Sequence, residues 1–356
     1  MANIADQPTL VPINNAFPLM QEHSPLWKRI ALGAVLFLSL FMNFFQLGQN
    51  GYGNLYYASG VRSMADSWHN FFFVSFDPGG FVTIDKPAVG FWLQTLSVKL
   101  FGFTPFSIFL PQAVCGILAV LILYYLVYRH FGTGAGLVAA LALAVSPISV
   151  VTGRNNTIDG TLALILLLAA WAVMRASETG KLRWLLLGGV FVGIGFNTKM
   201  SEAYLIIPAL GMAYLLCAPR KLWTRIWHLL VVLVVMLIIS LSWMAVVDLT
   251  TATQRPYVGS TKDNSEISLA IGYNGLGRLH IGGGTTTARP TANTTKNKTV
   301  TPPAQTGAPP NATSPLRLFN TLYGSQIAWL LPFALSAILA VAWHKPFNIR
   351  ENKQFL

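Results

Sequence analysis

Apolar runs on the scale of a bilayer crossing recur along almost the whole of this chain, and they leave few folds open to it. They cover residues 30–48, 107–128, 134–151, 157–175, 184–199, 202–217, 226–248 and 326–343. A helix rising 1.5 Å per residue needs about 20 residues to cross ~30 Å of hydrocarbon. Inside lipid, backbone groups must pair within the protein, so a run of this kind crosses as a helix. Of 356 residues, 53% are hydrophobic and only 10% charged. Soluble domains carry about 25% charged residues. The expected fold is therefore an all-α polytopic membrane protein of about eight spans. Residues 1–29 read as a cytoplasmic tail and residues 30–248 as the membrane core. Within that core, residues 49–105 form a long first extracytoplasmic loop, whose stretch from Phe91-Trp92-Leu93 onward reads as an interfacial helix.

The formal net charge of +12 does not point to nucleic acid. The cations sit in short loops beside apolar runs, where lysine and arginine set topology and meet anionic lipid. With the N-terminus cytoplasmic, the short inner loops hold Lys28, Arg29, Arg129, Arg175, Lys181, Arg183, Arg220, Lys221, Arg225, Lys345, Arg350 and Lys353. The short outer loops hold only Arg154 and Lys199. This asymmetry predicts a multi-pass plasma-membrane protein with its N-terminus inside. Residues 249–325 then form a second outer loop, with a Gly/Thr/Pro/Asn tract at 282–315 that reads as disordered. Residue 326 opens the eighth span, and 344–356 return to the cytoplasm. Cys115 and Cys217 lie in apolar segments without metal-ligand neighbours. No cluster of His, Cys and Asp suggests a metal, and no cofactor is expected; divalent-metal dependence stays open.

Ionisable groups at membrane depth are expensive, so each raises a functional question. Eight of the twelve acidic residues fall on the outer side: Asp66, Asp77, Asp85, Asp159, Glu202, Asp248, Asp263 and Glu266. Three constellations stand out. Residues 75–87 carry Asp77, Asp85 and Lys86 just before the interfacial stretch. A carboxylate beside an ammonium at headgroup depth suits transfer from a phosphate leaving group: the base takes an acceptor proton while the cation meets charge growing on the phosphate. A plainer reading has Asp85 cap a helix and Lys86 extend to the interface. Residues 153–160 carry Arg154, a phosphate ligand candidate, and Asp159, a carboxylate candidate that also suits a first helical turn. Residues 197–202 carry Lys199, either a third phosphate ligand or the partner of Glu202 in a surface pair. Trp68-His69-Asn70-Phe71-Phe72-Phe73 reads as an interfacial aromatic belt.

These residues also carry a resemblance. Asn54-Leu55-Tyr56-Tyr57-Ala58, Trp68 to Phe73, Phe76-Asp77-Pro78-Gly79-Gly80-Phe81-Val82-Thr83 and Asp85-Lys86-Pro87 resemble bacterial members of glycosyltransferase family 39. That group is related to protein O-mannosyltransferases and the lipid A aminoarabinose transferase. Arg154 to Asp159, Arg255-Pro256-Tyr257-Val258-Gly259 and the run Gly272–Leu279 fit it too. The resemblance implies a GT-C fold. It also implies transfer of a mannose-like hexose or a pentose, with inversion, from a polyprenyl-phosphate donor to a lipid, glycan or protein acceptor. It implies a place near the lipid phosphate for Asp85 with Lys86 and matches Asp159 to an acidic position; together with the reading of the residues themselves, the catalytic candidates are Asp85, Asp159 and Asp77 and the donor-phosphate candidates Lys86, Arg154 and Lys199. In relatives the first outer loop begins with an acidic pair; Gly53 and Asn54 stand at the matching positions here. Members are about twice this length, so the resemblance implies a missing C-terminal half. A non-catalytic lipid-binding or assembly subunit is the alternative. A flippase or transporter fits less well, because the spans hold almost no charge.

Overall fold

A computed structural model describes residues 26–49 and 51–275, with part of 331–339. The described residues are helical throughout their membrane-scale runs: α1 (Leu26–Phe44), α2 (Leu55–Asp66), α3 (Trp68–Phe73), α4 (Ala88–Phe101), α5 (Pro105–Ala144), α6 (Pro147–Gly153), α7 (Asp159–Thr179), α8 (Leu182–Lys199), α9 (Ile207–Cys217) and α10 (Leu222–Leu249). A 3-10 turn, Met200–Ile206, joins α8 to α9. The chain is an all-α polytopic membrane protein. Among the described residues, five runs are long and apolar enough to cross a bilayer: Leu26–Phe44, Pro105–Ala144, Asp159–Thr179, Leu182–Cys217 and Leu222–Leu249.

Five runs hold the seven spans read before residue 250, because two of them double back. An unbroken α5 would be about 60 Å long, twice the hydrocarbon thickness. It breaks at Gly132, where φ is +86°, a backbone region open to glycine but costly for L side chains. Beyond the break Ala140 and Ala144 pack on Val120. Gly136 meets Tyr124 and Tyr128 so closely that a Cβ there would lie 2.9 Å from the Tyr128 Cβ. The second leg is shorter than the 134–151 span: α5 ends at Ala144, and Pro147 begins α6 as a separate helix. Proline disfavours helical backbone in the residue before it, so Ser146 becomes the joint. The other run reverses after Lys199. Leu185, early in α8, packs with Tyr214 and Ala218 at the far end of α9. The expected helical start at 202 is instead the 3-10 turn. The eighth span, residues 326–343, lies largely outside the described residues, as do residues 1–25, the tract 282–315 and residues 344–356.

α7 spans 21 residues, or about 30 Å. Asp159 and Gly180 therefore mark opposite faces of the bundle. The main core lies at the Asp159 end. There Val61 and Met64 of α2, Ile84, and Phe91 of α4 pack on Ile108 and Phe109 of α5, Phe196 of α8 and Trp243 and Met244 of α10. The loop helices are thus seated on the spans. α4 buries Phe91, Gln94 and Val98 and leaves Leu93, Leu96 and Leu100 exposed. The aromatic belt is largely structural. Trp92 Nε1 donates to the Phe71 carbonyl (2.7 Å), and Trp243 Nε1 donates to the Phe72 carbonyl (3.0 Å).

Candidate active site

The segment between α3 and α4 is pinned on both sides. Ile84 N–H donates to the Val74 carbonyl (2.9 Å) and Phe76 N–H to the Val82 carbonyl (2.8 Å). Across from it Thr83 N–H donates to the Tyr257 carbonyl (2.9 Å), and Tyr257 N–H donates to the Phe81 carbonyl (2.8 Å). Residues 255–259, distant in sequence, thus fix the strand-like stretch that ends at Asp85 and Lys86.

Lys86 is buried, with 8% of its side chain exposed. Its ammonium lies 3.4 Å from Asp85 Oδ2 and donates to the Asp85 carbonyl (3.1 Å) and to Asn274 Oδ1 (3.0 Å). The Tyr273 ring covers it, 5.4 Å from Nζ to centroid. The Asn274 amide returns a hydrogen bond to the Asp85 carbonyl (3.0 Å) and also contacts Met200 Sδ (3.1 Å). The plainer sequence reading is thereby corrected. Lys86 does not extend to the interface, and Asp85 is not a helix cap: the N-cap of α4 is Pro87, with no side-chain cap bond. Asp85 Oδ1 is buried with no hydrogen-bond partner. The Tyr56 hydroxyl accepts from Asp85 N–H (3.1 Å). Burial first, and then the Asp85 charge, pushes that phenol up to about 12.

Next to this group the chain turns at Met200, which holds φ +50° though it carries a bulky side chain and is fully buried. Such a backbone persists only where its surroundings fix it. Lys199, just before it, pairs with Asp159 at the start of α7. The expected Lys199–Glu202 pair is therefore replaced by Lys199–Asp159, because the 3-10 turn carries Glu202 onward. Asp159, Lys199, Met200, Asn274, Lys86 and Asp85 form one connected series. Two hollows adjoin it. One, about 470 Å³, is lined by Glu202, Tyr204, Asn274 and apolar groups of α8 and α10. The other, about 510 Å³, runs between α5 and α7 over Ala119, Leu143, Leu162 and Leu166, with Asp159 among its few polar groups.

The remaining candidates serve the fold. Asp77 accepts from the backbone N–H of Phe81 (3.0 Å) and Val82 (3.0 Å), closing a turn. Arg154 donates to the carbonyls of Met42 and Phe45 (both 2.8 Å) at the end of α1. A guanidinium there satisfies carbonyls that a helix end leaves unpaired. Asn274 and Tyr273 escaped the sequence reading as site residues, although they lie in the glycine-flanked run that carried part of the resemblance.

Gly53 and Asn54 have definite local roles. Asn54 caps α2, its side chain accepting from Tyr56 N–H (3.0 Å). Its backbone is clasped by the buried Asn156 amide, which accepts from Asn54 N–H (2.9 Å) and donates to its carbonyl (2.7 Å). Gly53 has φ +67°, and a Cβ there would lie 2.8 Å from Asn155 Oδ1. Gly53→Asp is expected to destabilise the chain by about 1–3 kcal/mol. Asn54→Asp is expected to stay within about 0.5 kcal/mol, since the two are equivalent caps. Melting of the detergent-purified variants checks both; a Gly53→Asp chain as stable as wild type would contradict the geometry.

Beyond α10, Asp248 accepts from Ser265 Oγ (2.7 Å) and from the N–H of Glu266 (2.8 Å). The Glu266 side chain is fully buried and neither carboxyl oxygen has a hydrogen-bond partner. Burial first, then the Asp248 charge, pushes its carboxyl up to about 8. The folded state therefore holds a proton that the unfolded chain, titrating near 4.5, has released. Stability from this group is full below about pH 4.5 and falls as pH rises towards 8. Glu266→Gln is expected to remove most of that decline, as read by melting temperature between pH 5 and 8.

With this geometry in view, the sequence profile of the family described as dolichyl-phosphate-mannose-protein mannosyltransferase matches residues 85–243, from Asp85 to Trp243. Over that stretch, a little under half of its length, the chain is similar to this family. The resemblance to glycosyltransferase family 39 is borne out by relatives as well. It is 36% identical to the mannosyltransferase candidate YycA of Bacillus subtilis (strain 168), over 88% of this chain and 55% of YycA. It is 43% identical to the mannosyltransferase candidate YkcB of the same organism, over 72% of this chain and 36% of YkcB. The chain thus spans about half of one relative and about a third of the other. Among solved structures it is similar to ArnT from Cupriavidus metallidurans in the apo state, at 25% identity and a TM-score of 0.47, over 62% of this chain and 42% of that one.

Proposed function

We propose that this chain forms the donor-binding and catalytic part of a membrane glycosyltransferase that moves a sugar from a polyprenyl phosphate to an acceptor hydroxyl on the extracytoplasmic side. The observation that carries the reading is the buried Lys86 ammonium, held by Asp85 and Asn274 within a connected series that ends on the Lys199–Asp159 pair. A buried ammonium is costly unless paired, and here Asp85 and Asn274 pair it. The family's description names a polyprenyl-phosphate mannose donor, which agrees with that chemistry.

In this reading Lys86 meets the donor phosphate and Asp85 orients Lys86. The Lys199–Asp159 pair, 21% and 36% exposed on its two side chains, opens in this reaction. Lys199 then turns to the phosphate, and the Asp159 carboxylate takes the acceptor proton. The acceptor oxygen bonds to the anomeric carbon from the face opposite the phosphate, the carbon–phosphate-oxygen bond breaks, and polyprenyl phosphate leaves with the bond electrons. The apolar hollow between α5 and α7 suits a prenyl chain. Arg154 braces α1 rather than binding donor, and Asp77 shapes its loop.

The test reconstitutes the purified chain with a radiolabelled polyprenyl-phosphate sugar and a membrane extract as acceptor source. Label is expected to leave the lipid fraction only when the chain is present. A chain that retains the donor lipid yet never transfers supports a second reading, a lipid-binding subunit, which the absence of an acid at Gly53 and Asn54 favours. A chain that neither binds nor transfers overturns both.

A further inference from the structure

A second cluster lies at the other face of the bundle, about 30 Å from Asp159 along α7. There the end of α7, the start of α8 and the start of α10 surround a hollow of about 510 Å³ lined by Lys181, Arg183, Arg220, Thr224 and His228, with no carboxylate among its lining residues. The nearby acid in sequence, Glu178, is already engaged by Arg129 (2.7 Å), His130 and Arg175. Arg220 is held in place, its Nε donating to the Gly180 carbonyl (3.0 Å). Gly180 itself, at φ +65°, has no room for a Cβ beside that guanidinium. His228 is fixed by the buried Tyr214 hydroxyl (2.6 Å). Arg183 lies over the Trp184 ring at 5.7 Å. The depth is set by Leu222, Trp223 and Trp227, all largely exposed. Exposed tryptophans at the end of an apolar helix mark the headgroup layer.

We infer that this hollow is a binding site for the phosphodiester headgroup of an anionic phospholipid, separate from the sugar-transfer site. A cavity of cations at headgroup depth, flanked by apolar helix surface for acyl chains, fits a lipid better than a free ion. The uncapped N-termini of α8 and α10, which begin beside the cavity, add N–H donors to the same anion. Lys181, Arg183 and Arg220 line it as exposed residues, and His228 as a partly buried one.

Native mass spectrometry of the full chain tests the assignment, with phosphatidylglycerol, phosphatidylcholine and inorganic phosphate offered in separate arms. Wild type is expected to retain one phosphatidylglycerol and no phosphatidylcholine, and millimolar inorganic phosphate should not displace it. Lys181→Gln with Arg183→Gln is expected to weaken retention about thirtyfold, the loss of two cation contacts at an anionic surface, while Asp159 and Lys86 are untouched. Equal retention of the two lipids by wild type would overturn the proposal without recourse to any variant. So would displacement by inorganic phosphate alone, or unchanged retention in the folded double variant.

Discussion

Lys86→Ala is expected to leave a chain that no longer holds a polyprenyl-phosphate donor and transfers sugar at least about a hundredfold more slowly, the usual scale for losing one charge-stabilising group at a reacting centre. The ammonium sits among the Asp85 carboxylate and carbonyl and the Asn274 amide. Its removal leaves Asp85 as a buried carboxylate with no cation. Taking one partner from a buried ion pair typically costs about 3–5 kcal/mol, so the melting temperature should fall as well. The two effects are separable. Lys86→Arg keeps the charge and most of the fold, but its planar fork does not reproduce an ammonium held at three points. Native mass spectrometry should therefore show donor lost from Lys86→Ala and weakened in Lys86→Arg, both measured on folded protein. Full donor retention in a folded Lys86→Ala chain would remove the Asp85–Lys86 segment from the donor site.

The span pattern was legible because it rests on length and apolarity alone, and lipid permits only one backbone solution. The break between the 107–128 and 134–151 spans falls at Gly132, with φ +86°; the misplaced boundaries are the end of α5, set by Pro147, and the 3-10 start of the 202–217 run. The candidate site was half legible. Asp85, Lys86, Asp159 and Lys199 announced themselves as rare charges between apolar runs. Asn274 and Tyr273 did not, since an uncharged amide and a phenol carry no such signal and lie 188 residues from Lys86 in the case of Asn274. Pairing was the least legible property. Lys199 has Glu202 three positions away in sequence, yet the strained turn at Met200 delivers it to Asp159, 40 residues distant. Asp77 and Arg154 looked like chemistry because they are charged, whereas their hydrogen bonds show turn closure and a helix-end clasp.

Asp159→Asn and Asp85→Asn are expected to fail in different ways, and the difference assigns the base. Asp159 is a third exposed on its side chain and lies beside an apolar hollow, and in the proposed reaction the acceptor and the prenyl chain both approach there. Asp85 is 14% exposed, and its second oxygen is buried. A base must reach the proton it removes, and position decides before basicity does. Asp159→Asn should keep donor affinity and lose about 10²- to 10⁴-fold in turnover, the range general-base catalysis contributes. Asp85→Asn should raise the donor KM, because Lys86 loses the carboxylate that aims it, with a smaller fall in kcat. Lys199→Gln serves as the control: it removes the cation from Asp159 and is expected to weaken donor binding without abolishing turnover. Steady-state kinetics with a lipid-linked sugar separates the terms. Full turnover in Asp159→Asn beside a dead Asp85→Asn would exchange the two roles.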